Sequence, residues 1–268
     1  MIGRFAELYH YRELIRNLVI RDLKVRYKNS ILGVLWSLLN PLGMMLVFSV
    51  VFTVMLPMNI ENYPVFFLCG FLPWSFLSAS LTGATTSIVG NASLIKKVYF
   101  PREILPVAGV LSNLINFLIA MVVLFALIWV SPVNLTAAVL MLPLIMLAQV
   151  MFVAGMAFLL SAANVFYRDT QHILEIVMQA WFFLTPIFYS IDILPKTKVL
   201  LGVTVNVQIW LRRLNPMASL VASYQDVLYW GNFTGWDFFL RTFVTCGLIL
   251  VIGYLAFCRF SSVFGEEA

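Results

Sequence analysis

The sequence has 268 residues, of which 62% are hydrophobic and only 11% charged, and its mean hydropathy is +0.96. An ordinary soluble domain is about 45–50% apolar, so a chain with water as its main solvent is excluded. The formal net charge of +5 calls for no nucleic acid partner, because the cations gather just before the first long apolar run, where anionic membrane lipids would also attract them.

In chain order, residues 1–30 form a charged arm. Leu8, Tyr11, Leu14, Ile15, Leu18 and Val19 recur at helical spacing, with Arg12, Glu13, Arg16, Asn17, Arg21 and Lys24 mostly on the other side. This pattern predicts an amphipathic helix at the membrane surface, which either docks a partner or simply fixes topology. No apolar stretch precedes it, so no cleaved signal peptide is expected and the first span acts as its own insertion signal. After Lys28 no charged side chain occurs before Glu61. At this boundary Ser30 and Gly33 are expected to allow close packing, Trp36 to fill it, and Asn40-Pro41 to offer a bend.

Residues 31–268 then read as one transmembrane domain. A bilayer core about 30 Å thick needs about 20 helical residues, and about six long apolar runs, charged at most near their ends, meet that test. They cover residues 32–56, 65–89, 104–130, 135–163, 174–193 and 239–257. Their apolar character is continuous, whereas barrel strands alternate. The expected fold class is an all-α integral membrane protein.

The lysines and arginines set the orientation. With the N-terminus inside, the inner side holds Arg4, Arg12, Arg16, Arg21, Lys24, Arg26, Lys28, Lys96, Lys97, Arg102, Arg168 and Arg259. Lys196, Lys198, Arg212, Arg213 and Arg241 stay outside, in or beside one long loop over residues 192–238. Both termini are expected in the cytoplasm.

Polar side chains within the runs are mostly uncharged: Asn40, Ser75, Ser78, Thr82, Thr85, Asn113, Asn116, Gln149 and Gln179. They suit either helix-to-helix packing or a wet, neutral path for a hydroxyl-rich substrate. No run carries a charge near its middle, which argues against an ion-coupled carrier. It also argues against a membrane enzyme built on a carboxylate pair or a metal cluster. Cys69, Cys246 and Cys258 show no metal or redox spacing and read as small apolar residues. The G-x-x-x-x-G-K-[ST] phosphate loop is absent from the sequence, so ATP energy would have to come from another polypeptide.

In the long loop, NPMASLVASYQDVLYWG places Asn215 at an N-cap and Pro216 at the first helical position. Met217, Leu220, Val221, Tyr224, Val227 and Leu228 then form an apolar face up to Gly231. A helix this short cannot span, so it is expected to be re-entrant or interfacial. The preceding VTVNVQI alternates like a strand or an interfacial loop.

The motifs RDLKVRYKNSILGVLWSLLNP at 21–41, GFLPWSF at 70–76, NASLIKKVYFPREILP at 91–106, NVFYRD at 164–169, TPIFY at 185–189 and LNP at 214–216 together resemble the membrane subunits of ABC exporters for polysaccharides. That group comprises the O-antigen, capsule and teichoic acid export permeases, and the resemblance covers nearly the whole chain.

It implies an inner-membrane homodimer paired with two ATP-binding subunits. ATP and Mg would sit on those subunits, with no cofactor on this chain. The implied cargo is a glycan linked to polyprenyl diphosphate. Carried over by position, Arg21, Lys24, Arg26, Lys96, Lys97, Arg102, Glu103, Arg168 and Asp169 would face the ATPase. Arg21, Lys24 and Arg26 would also suit the lipid diphosphate. Trp74, Ser78, Thr82, Asn113, Asn116 and Tyr189 are candidates for the substrate path, and Asn215, Pro216 and Tyr224 for an outer gate. A drug- or lipid-exporting ABC permease, and a membrane-bound glycosyl- or acyltransferase, are the rival readings.

Overall fold

The computed structural model describes residues 10–28, 33–98, 100–195, 198–200 and 203–264. The arm helix α1 spans Arg12–Tyr27, α2 Trp36–Val50 and α3 Tyr63–Ser87. They are followed by α4 (Ala92–Lys97), α5 (Ile104–Val130), α6 (Leu142–Phe166) and α7 (Thr170–Phe183). The last helices are α8 (Val207–Leu214), α9 (Pro216–Leu228) and α10 (Trp236–Phe260). Strands β1 (Lys198–Leu200) and β2 (Val203–Val205) form a short antiparallel pair in which Lys198 faces Val205.

Among the described residues, five helices are long and apolar enough to cross a bilayer: Trp36–Met55, Tyr63–Ser87, Ile104–Val130, Ala137–Phe166 and Trp236–Phe260. The expected fifth span over residues 174–193 differs. Its helical part, α7, has 14 residues, or about 21 Å at 1.5 Å per residue, short of the bilayer core. Thr185 turns its hydroxyl back to the Trp181 carbonyl at 2.8 Å. Pro186 follows, with no N–H to continue the ladder. The chain then runs irregularly to a single 3₁₀ turn at Ile191–Ile193. Apolar composition is the same for an unbroken span and a broken one, which is why the run read as continuous.

Helix α3 is the centre of the bundle. It is buried along most of its length and packs against α2, α5, α6, α7 and α9. Helix α2, by contrast, has no buried residue among those described, and Leu46, Val47 and Val50 are exposed along it. Trp36 is 54% exposed and does not fill a packing gap. Gly33 is needed for its positive φ of +50°, with nothing near its missing side chain. The helix runs through Pro41 without ending, and Ser30 lies outside the described residues.

The apolar face predicted for the arm faces protein. Leu18 and Val19 are buried with Ile104, Leu105 and Ala108 of α5, and Tyr11, Leu14 and Ile15 pack around them; Leu8 lies outside the described residues. The alternating VTVNVQI splits at Asn206: β2 precedes it, and its side chain caps α8 by accepting from the Ile209 N–H at 3.1 Å.

Helices α6 and α10 form the closest pair, crossing at Gly155 and Gly253. A Cβ on Gly253 would lie 2.1 Å from the Gly155 carbonyl oxygen, and one on Gly155 would lie 2.6 Å from that of Ile249. Small residues let backbones approach this closely where lipid supplies no hydrophobic drive between helices. Gly109, in α5, has nothing within 4 Å of the same position. Gly253→Ala is therefore expected to destabilise the chain by about 1–3 kcal/mol. Gly109→Ala should leave thermal unfolding of the detergent-solubilised protein unchanged or slightly raised.

Candidate functional site

A polar groove runs between α1, α2, α3 and α5. Its upper part is a cavity of about 290 Å³ lined by Arg26, Ser37, Asn40, Ser75, Asn113 and Asn116, with Trp36, Phe76 and Phe117 as aromatic walls. A second cavity of about 630 Å³ shares Arg26 and Asn113 and continues past Gly83, Thr86, Asn91 and Ser112. Ser75, Ala79, Gly83 and Thr86 fall on one face of α3 at helical spacing, and their small side chains leave the space open.

Asn113 is the junction of the two cavities. It is 4% exposed, and its Nδ2 donates to the Gly109 carbonyl at 3.0 Å. Its Oδ1 has no partner among the described residues, nor has the hydroxyl of buried Ser112. Buried polar atoms are normally paired, so a hydroxyl-bearing ligand in this groove would meet an acceptor and a hydroxyl ready for it.

The other expected path residues lie elsewhere. Trp74 is buried and packs edge-on against Trp181 and Phe182, with centroids 6.0 and 5.6 Å apart. Tyr189 is half-buried beside the broken end of α7, its hydroxyl donating to the Phe183 carbonyl at 3.3 Å. Ser78 is half-buried and Thr82 exposed on α3, beside the groove lining and not in it. The groove's own Ser37, Asn40 and Ser75 sat in the sequence as ordinary in-span polar residues. Only the meeting of three helices singles them out.

The three expected coupling segments converge on one end of the bundle, around an apolar cluster of Leu18, Ile88, Phe100, Val165, Phe257 and Phe264. Arg21 bridges the first two, donating to the Asn91 side chain at 3.2 Å while pairing with Asp22. Asn91 in turn donates to the Ser87 carbonyl at 2.8 Å. Phe166, from the third segment, packs on Phe260 and Phe264. Lys24, Arg26, Lys96, Lys97, Arg168 and Asp169 are exposed around this cluster, with Arg102 half-buried. Glu103 is 6% exposed and faces the Cys258 thiol at 3.7 Å. It ties the loop to the end of α10 and offers no charge to the surface.

At the opposite end, α9 is buried nearly all round, without the one-sided exposure of a surface helix. Asn215 caps it as the sequence predicts: Oδ1 accepts from the Met217 and Ala218 N–H groups at 3.1 and 3.2 Å. The same oxygen accepts from the Trp181 indole at 2.8 Å, and Nδ2 donates to the Thr185 hydroxyl at 3.1 Å. Pro216 occupies the first position of the helix. Tyr224 donates to Gln149 at 2.7 Å, and Gln149 donates to the Pro73 carbonyl at 2.7 Å. Gln225 reaches the Pro186 carbonyl at 3.2 Å. Near the end of α9, burial pushes the Asp226 carboxyl above its ordinary range, against the opposing pull of the Thr234 hydrogen bond and the Arg212 charge.

Among the described residues, no group of three His, Cys, Asp or Glu side chains is placed to hold a metal ion. The sequence pattern of the family described as ABC-2 type transporter matches residues 13–229. The O-antigen export system permease protein RfbA of Myxococcus xanthus is 38% identical over 229 residues, 85% of this chain and 85% of its own length. Two proteins of the same name from Klebsiella pneumoniae are 32% and 29% identical, each over 92% of this chain and 91% of their own length.

Gln149→Leu should cost about 1–3 kcal/mol, because it strands the buried Tyr224 hydroxyl and the Pro73 carbonyl together. Tyr224→Phe removes one end of the chain only and should cost less. Thermal unfolding of both variants in one detergent would rank them, and a smaller loss for Gln149→Leu would contradict the network.

Proposed function

This chain belongs to the ABC-2 type transporter family of membrane proteins, and from that premise we propose that it is the membrane subunit of an ATP-driven polysaccharide exporter. It moves a lipid-linked glycan of the O-antigen, capsule or teichoic acid kind from the cytoplasm across the inner membrane. The carrying observation is the similarity, over 85% or more of this chain, to proteins named as O-antigen export permeases. The groove around Asn113 supports it, because sugar hydroxyls would find amide and hydroxyl partners there, beside the Arg21, Asp22 and Arg26 side chains that the arm contributes to the lining.

In this reading two copies of the chain meet two ATP-binding subunits, which hold ATP and Mg. The end carrying α1 and α4 lies in the cytoplasm, as the density of cations there favours. Lys24, Arg26, Lys96, Lys97 and Arg168 surround a rigid apolar cluster. A push from the nucleotide-binding partner on any of the three segments therefore reaches α5, α6 and α10 together. The chain itself performs no covalent chemistry; α9 and its Asn215 cap close the outer end until the cargo passes.

Deleting the chain should abolish surface polysaccharide, and the wild-type chain should restore it. Asn113→Leu with Asn116→Leu should lower export about tenfold, the equivalent of about 1.4 kcal/mol, at unchanged membrane abundance. Intact surface glycan with a new drug sensitivity would point instead to a drug or lipid exporter. Lys96→Glu with Lys97→Glu and Arg168→Glu should weaken co-purification of the ATP-binding subunit. Export by this chain without any ATPase would contradict the mechanism.

A further inference from the structure

Positive side chains avoid the outer side of a membrane protein, yet three arginines meet at the end opposite the arm. Arg212 closes α8, Arg213 follows it, and Arg241 lies in the second turn of α10. The guanidinium carbons of Arg212 and Arg241 stand 5.9 and 5.1 Å from the centre of the same Phe238 ring. Stacking on an aromatic face holds a guanidinium plane still.

Their hydrogen-bonding groups are not spent. Arg212 Nε and Arg241 Nη2 are both shielded from solvent and lack a hydrogen-bond partner among the described residues. Neither arginine makes an ion pair there. Asp226 senses the Arg212 charge, but its carboxylate is engaged by the Thr234 hydroxyl at 2.7 Å. Arg213 is near enough for its charge to act on Arg241, while the acidic groups nearby are Asp226, with the charge of Asp192 acting on it, and Asp237 in the first turn of α10. Snorkelling of a lone arginine toward the membrane surface would leave its donors in water. Two arginines held on one ring, each with a shielded donor that lacks a partner among the described residues, instead offer donors to an anion.

Exposed Trp210, Trp230 and Trp236 lie at this same end, the side chains that collect where hydrocarbon meets head groups. An anion reaching that depth is the phosphate of a lipid. We infer that Arg212 and Arg241, held on Phe238, form a binding site for a lipid phosphate ester at the outer end of the bundle, separate from the cations of the arm. The phosphate belongs either to a bilayer lipid or to the diphosphate carrier of the cargo arriving in the outer leaflet. Only the second source rests on the export reading.

The test uses the full-length chain in a neutral maltoside detergent, with no ATPase and no transport step, so its failure is distinct from failure of that reading. Thermal unfolding is followed against dioleoyl phosphatidic acid, dioleoylglycerol, polyprenyl diphosphate and polyprenol. The two phosphorylated lipids should raise the midpoint and their phosphate-free counterparts should not. Arg212→Gln with Arg241→Gln should weaken binding about tenfold or more.

If the glutamine pair does not fold, Arg212→Lys with Arg241→Lys keeps both charges but loses the guanidinium fork, and should still bind more weakly. Tighter binding of polyprenyl diphosphate assigns the site to the cargo, and equal or tighter binding of phosphatidic acid assigns it to bilayer lipid. Equal shifts from dioleoylglycerol and phosphatidic acid, or binding unchanged in the arginine variants, would overturn the inference.

Discussion

Everything at the end of the bundle opposite the arm depends on satisfying backbone that a membrane cannot hydrate. Helix α9 is too short to span and α7 stops before it would, so both leave carbonyls and N–H groups at bundle depth. Lipid offers them nothing, and irregular backbone survives there only where protein supplies the partners. Asn215, Gln225 and Tyr63 are those partners, while Gln149 serves the Pro73 carbonyl of α3 and is itself held by Tyr224. Asn215 alone caps α9, accepts the Trp181 indole and donates to the broken end of α7. Tyr63 reaches the Phe188 carbonyl beyond the break, and Tyr229 the Glu61 carbonyl.

That constraint explains why α3 sits at the centre. Its first half must contact α9 and the segment after Pro186 at once, and Gly70 makes room: a Cβ there would lie 3.1 Å from both the Gln225 amide and Ile187. Its second half is lined instead by Ser75, Ala79, Gly83 and Thr86 and stays open as the groove. One helix thus carries a closely packed, hydrogen-bonded half and a half that opens on a cavity. The arm reaches the open half through Arg26 and, by way of Arg21 and Asn91, is joined to the loop that follows α3.

Much of this was legible in the sequence. Continuous apolar runs locate the five long helices, and α5 spans the residues expected of it. The Asn215-Pro216 start and the Gly231 stop of α9 follow from local chemistry, with Gly231 at a φ of +67°. The break at Pro186 was less visible, because hydropathy averages over a proline and the TPIFY stretch is as apolar as a span. Trp74 and Tyr189 drew attention as aromatics inside motifs. Composition cannot tell a ring buried in the core from one lining a path. Asn113 was visible as a polar residue, but its unpaired acceptor is a property of the assembled helices. Glu103 sat in a charged motif that read as surface, and its burial against Cys258 depends on where α10 ends. The crossing of Gly155 with Gly253 joins residues remote in the chain and had no local signal at all.

The central claim is that α9 is a fixed, internally hydrogen-bonded element and not a surface helix resting on the bilayer. Amide hydrogen exchange in the full-length chain tests it directly. Residues 217–228 should exchange as slowly as the middle of α3, because their N–H groups are buried and their anchors engaged on both sides. Exchange at the rate of an exposed surface helix would contradict the account.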